Sequence, residues 1–233
     1  MNINFIFLAK TSNQKQYEMT HTAFDSLVRT KLPGDNFNII LLESQSNAVE
    51  KYQNKVDIVV DVSSINPFNY NAAINKGLAY IKEYYEWICV CNNDLIFDSK
   101  WLNSIKLSLR ENPDAKSICP RYSKNQKEDE VGYTCPGHVL GWCFIFHKDV
   151  LDKIKNFDET FDFYFQDNDY AEQLKKYKFK HISVANSIVT HLGQQTTGPE
   201  NINKLISDAH KFIKKYGTKA YLVNEQNKRK IKW

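Results

Sequence analysis

The chain has 233 residues, 42% of them apolar and 25% charged, with a net charge of +4. Those values describe an ordinary globular chain able to bury a sizeable core, and they exclude a disordered protein or a strongly basic nucleic-acid-binding domain. Aromatic residues reach 13%, which suits a dense core and leaves room for a stacking cleft.

Residues 4–9 form a near-continuous apolar run, as expected of a parallel strand covered on both faces. The run has no basic prelude and no cleavage pattern, so it reads as a first strand and not as a signal peptide. A loop over residues 10–14 leads to a helix ending near Thr30, and Lys31-Leu-Pro-Gly-Asp35 breaks the chain. Strands follow at residues 37–42, ending in Glu43, and at 56–60, ending in Asp61. Strand and helix thus alternate with polar groups (Thr11, Glu43, Asp61) at the strands' carboxyl ends, the edge at which open α/β sheets bind nucleotides.

Residues 68–85 read as one helix carrying Asn71 and Asn75 on a common face. A buried strand at 87–91 then ends abruptly in Asn92, Asn93 and Asp94. Asp98 reads as the cap of an amphipathic helix bearing Trp101, Leu102, Ile105 and Leu109. Residues 120–134 are strongly polar and read as a mobile surface loop. Beyond it come a strand at 139–146, a short helix at 150–154, an aromatic-rich connection at 157–165 and a helix at 167–177. A last strand at 182–189 ends at His191, and an amphipathic helix follows at 205–216. No run reaches the length of a membrane span.

The five cysteines, Cys89, Cys91, Cys119, Cys135 and Cys143, contain no CxxC pair. That reads as a reduced, cytoplasmic protein with neither a disulfide framework nor a zinc site, and with Cys89 and Cys91 in the core.

Three groups could carry chemistry. Asp94 closes a buried strand, where a rigid carboxylate can hold a divalent cation on a phosphate-bearing ligand. Asp167 and Asp169 open a helix, where carboxylates are favoured by the dipole and where one could also serve as a general base. His191 stands out from the other histidines because it ends an apolar strand beyond these two acidic sites.

The pieces that carry a resemblance are Asn71-Ala-Ala-Ile-Asn75-Lys-Gly77, Cys91-Asn-Asn-Asp94 and Gly141-Trp-Cys-Phe-Ile-Phe146. Two more follow: Asn156-Phe-Asp-Glu-Thr-Phe161 with Tyr164-Phe-Gln-Asp-Asn-Asp169, and Val189-Thr-His191-Leu-Gly193. In order and spacing they resemble a family 2 glycosyltransferase of the GT-A fold, most like its rhamnosyltransferase-type branch. The resemblance implies an α/β fold with a mostly parallel central sheet flanked by helices, in a single domain over residues 1–199. Residues 200–233 would form a C-terminal helix and basic tail packed on it or extending from it.

The resemblance also implies roles. Asp94 would be the carboxylate of a DxD-like motif holding Mn²⁺ or Mg²⁺ on a sugar-nucleotide diphosphate, with His191 as the second protein ligand. Asp167 would be the base that deprotonates the acceptor hydroxyl for inverting attack. Thr11, Glu43 and Asp61 would line the nucleotide's ribose and base, Asn75 and Asn93 would join the donor-binding set, and Trp142 would lie near the acceptor and donor sugar.

The implied partners are a nucleoside-diphosphate sugar, UDP favoured over dTDP and GDP, and a hydroxyl acceptor on a glycan or glycolipid. The basic stretch at 227–233 leaves an anionic membrane surface at the inner face, or a hydroxylated nucleic-acid base, as alternatives, and a protein acceptor is a further one. Gln166 stands where the family usually has Glu, which keeps a catalytically silent nucleotide-sugar-binding protein as the rival reading. A nucleotidyltransferase is disfavoured, because Lys10-Thr-Ser-Asn is not a Gly-rich basic loop.

Overall fold

A computed structural model describes residues 1–121, 139–193 and 202–222 of the chain. Strand β1 (Asn2–Ala9) is buried from Ile3 to Ala9, which explains an apolar run broken only by the buried Asn4. Helix α1 (Gln14–Val28) starts where the Asn13 side chain accepts from the Gln16 amide at 3.0 Å. Strand β2 (Asn36–Glu43) pairs with β1 in parallel, and β3 (Ile58–Asp61) pairs in parallel with β2. A 3₁₀ segment at Ser46–Tyr52 joins these two strands, and it was not foreseen.

Helix α2 (Tyr70–Leu78) is shorter than the expected span of 68–85. The Tyr80 amide already closes a tight turn on Gly77 and the Tyr85 amide another on Lys82, so Ile81 and the buried Tyr85 reach the core from turns and not from a helix. Gly77 lies so close to β1 and β2 that a Cβ there would meet Ile6 Cγ2 and Leu42 Cδ1 at 3.1 Å. Asn71 and Asn75 do share a face. It packs on residues 157–159.

Strand β4 (Trp87–Asn92) lies on the other side of β1 and is parallel to it. The short β5 (Leu95–Phe97) follows, then α3 (Trp101–Glu111) and β6 (Ala115–Cys119). Neither β5 nor β6 was anticipated, since three and five residues carry little periodicity. The expected polar loop at 120–134 falls almost wholly outside the described residues.

Strand β7 (Cys143–His147) begins later than expected, because the Cys143 amide turns back onto Leu140. Helix α4 (Gln166–Lys176) and strand β8 (Lys180–Ser183) follow. The last expected strand, at 182–189, is in fact divided between β8 and β9 (Val189–His191). Between them the Ser187 amide bonds Val184, making a turn whose Val184 and Ala185 are buried without being strand.

The main sheet runs β3-β2-β1-β4-β7-β6-β8. All its pairs are parallel except those of β7, which is antiparallel to both β4 and β6. Apolar clusters cover both faces: Phe5, Phe7, Phe24 and Trp101 on one, Ile6, Ile40, Phe144 and Tyr170 on the other. A second sheet pairs β5 with β9 and sets Leu95 opposite His191. Helix α5 (Ile202–Tyr216) docks through Phe212 onto Phe161 and Phe165. No helix among the described residues is long and apolar enough to cross a membrane.

Candidate active site

The carboxyl ends of β1, β2 and β4 open on a cavity of about 670 Å³, walled also by Asp94, Gly141, Asp167 and residues 163–166. That size lies within the range of small-molecule and cofactor sites.

Asp94 follows β4 and precedes β5, so strands hold it on both sides. Its carbonyl accepts from the Leu192 amide at 3.0 Å, which ties it to the end of β9. As a result Asp94 Oδ1 and His191 Nε2 stand 3.2 Å apart. Oδ1 is buried and has no hydrogen-bond partner among the described residues. A buried carboxylate oxygen left so is costly unless a further group completes it. Hard oxygen and imidazole nitrogen facing one point are a donor set suited to a divalent cation such as Mn²⁺ or Mg²⁺. The residues present therefore fit such an ion.

Trp142 fixes the histidine. Its ring lies over that of His191 with centroids 5.0 Å apart and planes inclined by 16°. The Trp142 carbonyl accepts from Asn92 at 2.9 Å, so the stacking residue is bound to the strand that carries Asp94. Its indole N–H is buried and unpartnered among the described residues.

Asp167 stands in the first turn of α4 and lines the cavity. Its Oδ1 accepts from the Asn168 amide at 2.8 Å. Gly141 is pressed against it: a Cβ there would meet Asp167 Cβ at 3.1 Å and Oδ2 at 3.2 Å. The Tyr70 hydroxyl donates to the Gly141 carbonyl at 2.5 Å and holds that approach. Residues 141 and 142 therefore touch both halves of the site, Asp167 through one and His191 through the other.

Phe165, the residue before α4, adopts a left-handed conformation with φ 62°. For a bulky side chain this costs on the order of 1–3 kcal/mol. Its ring packs on Phe212 of α5, with centroids 5.2 Å apart. Gln166 is buried and donates to the Phe161 carbonyl at 3.1 Å. A glutamate there would set a carboxylate against that carbonyl, so the amide has a structural reason of its own. Asp169, the neighbouring carboxylate, is committed to Lys215 and Tyr216 of α5 and to Gln173.

The remaining sequence candidates scatter around this centre. Glu43 is buried and accepts from the Thr11 and Gln45 amides at 3.0 and 2.8 Å, while its Oε2 lacks a partner among the described residues. The Thr11 hydroxyl bonds Tyr52 at 2.7 Å. Asp61 is exposed, accepts from the Ser63 amide at 2.8 Å, and hydrogen bonds from Ser63 hold its carboxyl below the usual range. Asn93 lines the cavity, although its amide donates to Thr20 at 2.8 Å. The amide group of Asn75 is spent on Phe157 and Glu159, and Asn75, like Thr11, Glu43, Asp61, Trp142 and His191, does not line the cavity, which among the sequence candidates only Asn93, Asp94 and Asp167 do.

Several lining residues were not read as such from the sequence, among them Ser63, Phe68, Phe163, Tyr164 and Lys204. The aromatic density of residues 157–165 was the one signal available for two of them.

The model of glycosyl transferase family 2 matches residues 11–175. No curated protein matches the chain. Among solved structures, Staphylococcus aureus TarS 1–349 is similar over 97% of this chain and 71% of that one, with 14% identity and a TM-score of 0.62. TarS 1–349 in complex with UDP-GlcNAc gives 91% and 67%, with 13% identity and a TM-score of 0.61. TarS 1–349 in complex with UDP gives 91% and 66%, with 15% identity and a TM-score of 0.61. The chain spans 40% of the longer TarS structure. At these identities the likeness is one of fold.

Proposed function

Since the chain belongs to glycosyl transferase family 2, we propose that it is a metal-dependent, inverting transferase moving a hexosyl or deoxyhexosyl unit from a UDP-sugar to a hydroxyl acceptor. The observation that carries this reading is the unpartnered, buried Asp94 Oδ1 set 3.2 Å from His191 Nε2 at the cavity's edge. Asp94 and His191 would hold the divalent cation. Bound there, the ion would neutralise charge developing on the diphosphate leaving group.

The protein's own groups do the rest. Asp167, on a different element from Asp94, takes the proton of the acceptor hydroxyl as that oxygen attacks the anomeric carbon. Gly141 leaves Asp167 the space to stand where it does, and Tyr70 keeps Gly141 in place. Glu43, Thr11, Asn93 and Asp61 serve the nucleoside end. Trp142 orients His191. UDP is favoured because TarS, which shares the fold, has been solved with UDP and UDP-GlcNAc. The motifs favour the rhamnosyltransferase-type branch, a glycan or glycolipid acceptor and a cytoplasmic or membrane-peripheral setting.

The test is donor turnover. UDP-hexoses and UDP-GlcNAc are incubated with the protein and Mn²⁺, and release of UDP is followed with and without candidate acceptors. Metal-dependent release that Asp167→Asn removes supports the proposal. Release that EDTA leaves unchanged, or none with any donor, would overturn it in favour of a silent binding protein.

A further inference from the structure

Beneath the site, three cysteines converge. Cys89 and Cys91 point to the same face of β4, and Cys143 opens β7 directly opposite Cys91. The sulfur atoms of all three lie within 4.8 Å of one another, and each side chain is fully buried. Residues two apart on a strand are separated by about 6.6 Å along it. Yet Cys89 Sγ and Cys91 Sγ approach to 3.4 Å, so both side chains lean inward toward a common point. Sulfur atoms sharing an ion at about 2.3 Å each stand roughly 4 Å apart. The cluster brackets that spacing, with one pair at 3.4 Å and all three sulfurs within 4.8 Å.

We propose that Cys89, Cys91 and Cys143 form a second metal site, separate from Asp94 and His191, that takes a soft monovalent cation of low coordination number, Cu(I) being the biological representative. Thiolate sulfur selects soft ions over Mg²⁺ or Mn²⁺. Zn²⁺ fits less well, because its structural sites use four ligands and the cluster offers three. Binding requires the thiols to release protons to solvent. Burial opposes this in all three, and coordination to the ion supplies the compensating stabilisation.

The position gives the site a consequence. Cys91 is followed by Asn92, Asn93 and Asp94, and Cys143 is preceded by the Trp142 that stacks on His191. An ion held by both strands would clamp the strand that leads to Asp94 onto the strand that follows Trp142, the residue stacked on His191.

An anaerobic titration against the coloured Cu(I) complex of bicinchoninate tests this. The wild-type chain should strip one Cu(I) per molecule from the chelator, and Asp94→Ala should do the same. Cys143→Ala, of nearly equal volume, should lose the ion while keeping its circular dichroism, and Cys119→Ala should not. X-ray absorption of the loaded wild-type chain should show a shell of sulfur alone. No transfer from the chelator, retention by Cys143→Ala, or a shell containing nitrogen or oxygen would each overturn the proposal. Because the readout is thiol-held copper in a chain that also lacks Asp94, it is independent of the transferase reading.

Discussion

Asp94 Oδ1 and His191 Nε2 face each other across 3.2 Å although almost a hundred residues separate them in sequence. Two backbone features bring this about: β5 and β9 pair so that Leu95 opposes His191, and the Leu192 amide bonds the Asp94 carbonyl. The contact does not satisfy Asp94 Oδ1, which stays buried and without a hydrogen bond among the described residues. A group so placed is poorly spent on stability, which is the usual mark of a site kept for a ligand.

That imbalance gives the first prediction. Asp94→Ala removes a buried carboxylate with an incomplete set of partners, so the metal-free protein should melt no lower than wild type and about a degree or two higher. Mn²⁺ should raise the melting temperature of wild type and leave the variant where it was. Scanning calorimetry with and without Mn²⁺ measures both. A marked loss of apo stability in Asp94→Ala would mean that the carboxylate is structural.

Trp142 supplies the second. An aromatic stack contributes on the order of 1 kcal/mol beyond burial, so Trp142→Ala should free the His191 ring at modest cost to the fold. The Mn²⁺ concentration for half-maximal activity should rise, while Trp142→Phe keeps much of the wild-type behaviour. Equal metal dependence in all three proteins would remove Trp142 from the site's support.

Gly141 supplies the third. A methyl at this position meets Asp167 Cβ at 3.1 Å and Oδ2 at 3.2 Å, and the Tyr70 bond to the Gly141 carbonyl prevents retreat. Gly141→Ala should therefore lower kcat strongly and leave UDP affinity near wild type. A change in UDP affinity with kcat intact would place Asp167 on the donor side instead.

The fourth concerns acid. Asp208 of α5 is fully buried and accepts from the Asp162, Phe163 and Tyr164 amides at 3.0, 2.9 and 2.9 Å, holding part of the cavity wall. Burial alone would raise its pKa, but those three amides and Lys211 outweigh it and hold the carboxyl below its ordinary value. The unfolded chain then binds the proton more readily, so stability from Asp208 is complete above the unfolded value of about 3.9 and is lost as pH falls through the lower folded one. Thermal unfolding from pH 7 down to pH 2 should show that loss setting in below about pH 4, and Asp208→Asn should flatten it. Asp208→Ala should cost about 3 kcal/mol at neutral pH, by leaving three amides and Lys211 without their acceptor.

Much of this was readable in the chain before its structure. The apolar runs at β1, β2 and β4 mark buried parallel strands, and their polar ends mark the binding edge. The abrupt stop at Asn92-Asn93-Asp94 was legible for the same reason: three polar residues after a buried strand have to face a surface or a cleft. What escaped was non-local. Nothing in Asn75 reveals that residues 157–159 will consume its amide, and nothing in Lys204 reveals that α5 returns to the cavity. The expected strand at 182–189 is interrupted because burial does not require strand. Val184 and Ala185 are buried in a turn.

The convergence of Cys89, Cys91 and Cys143 was half visible. Their alternation placed Cys89 and Cys91 on one face, but Cys143 joins them only through the antiparallel register of β4 with β7.

One measurement bears on the central claim most directly: titration calorimetry of UDP into the wild-type chain, Asp94→Ala and His191→Ala, each with Mn²⁺ and with EDTA. The account predicts that UDP binds wild type with Mn²⁺ and loses most of its affinity in EDTA, and that both variants bind equally weakly with and without the ion. UDP binding that ignores Mn²⁺ in the wild type, or that keeps its Mn²⁺ dependence in both variants, would contradict a metal site built from Asp94 and His191.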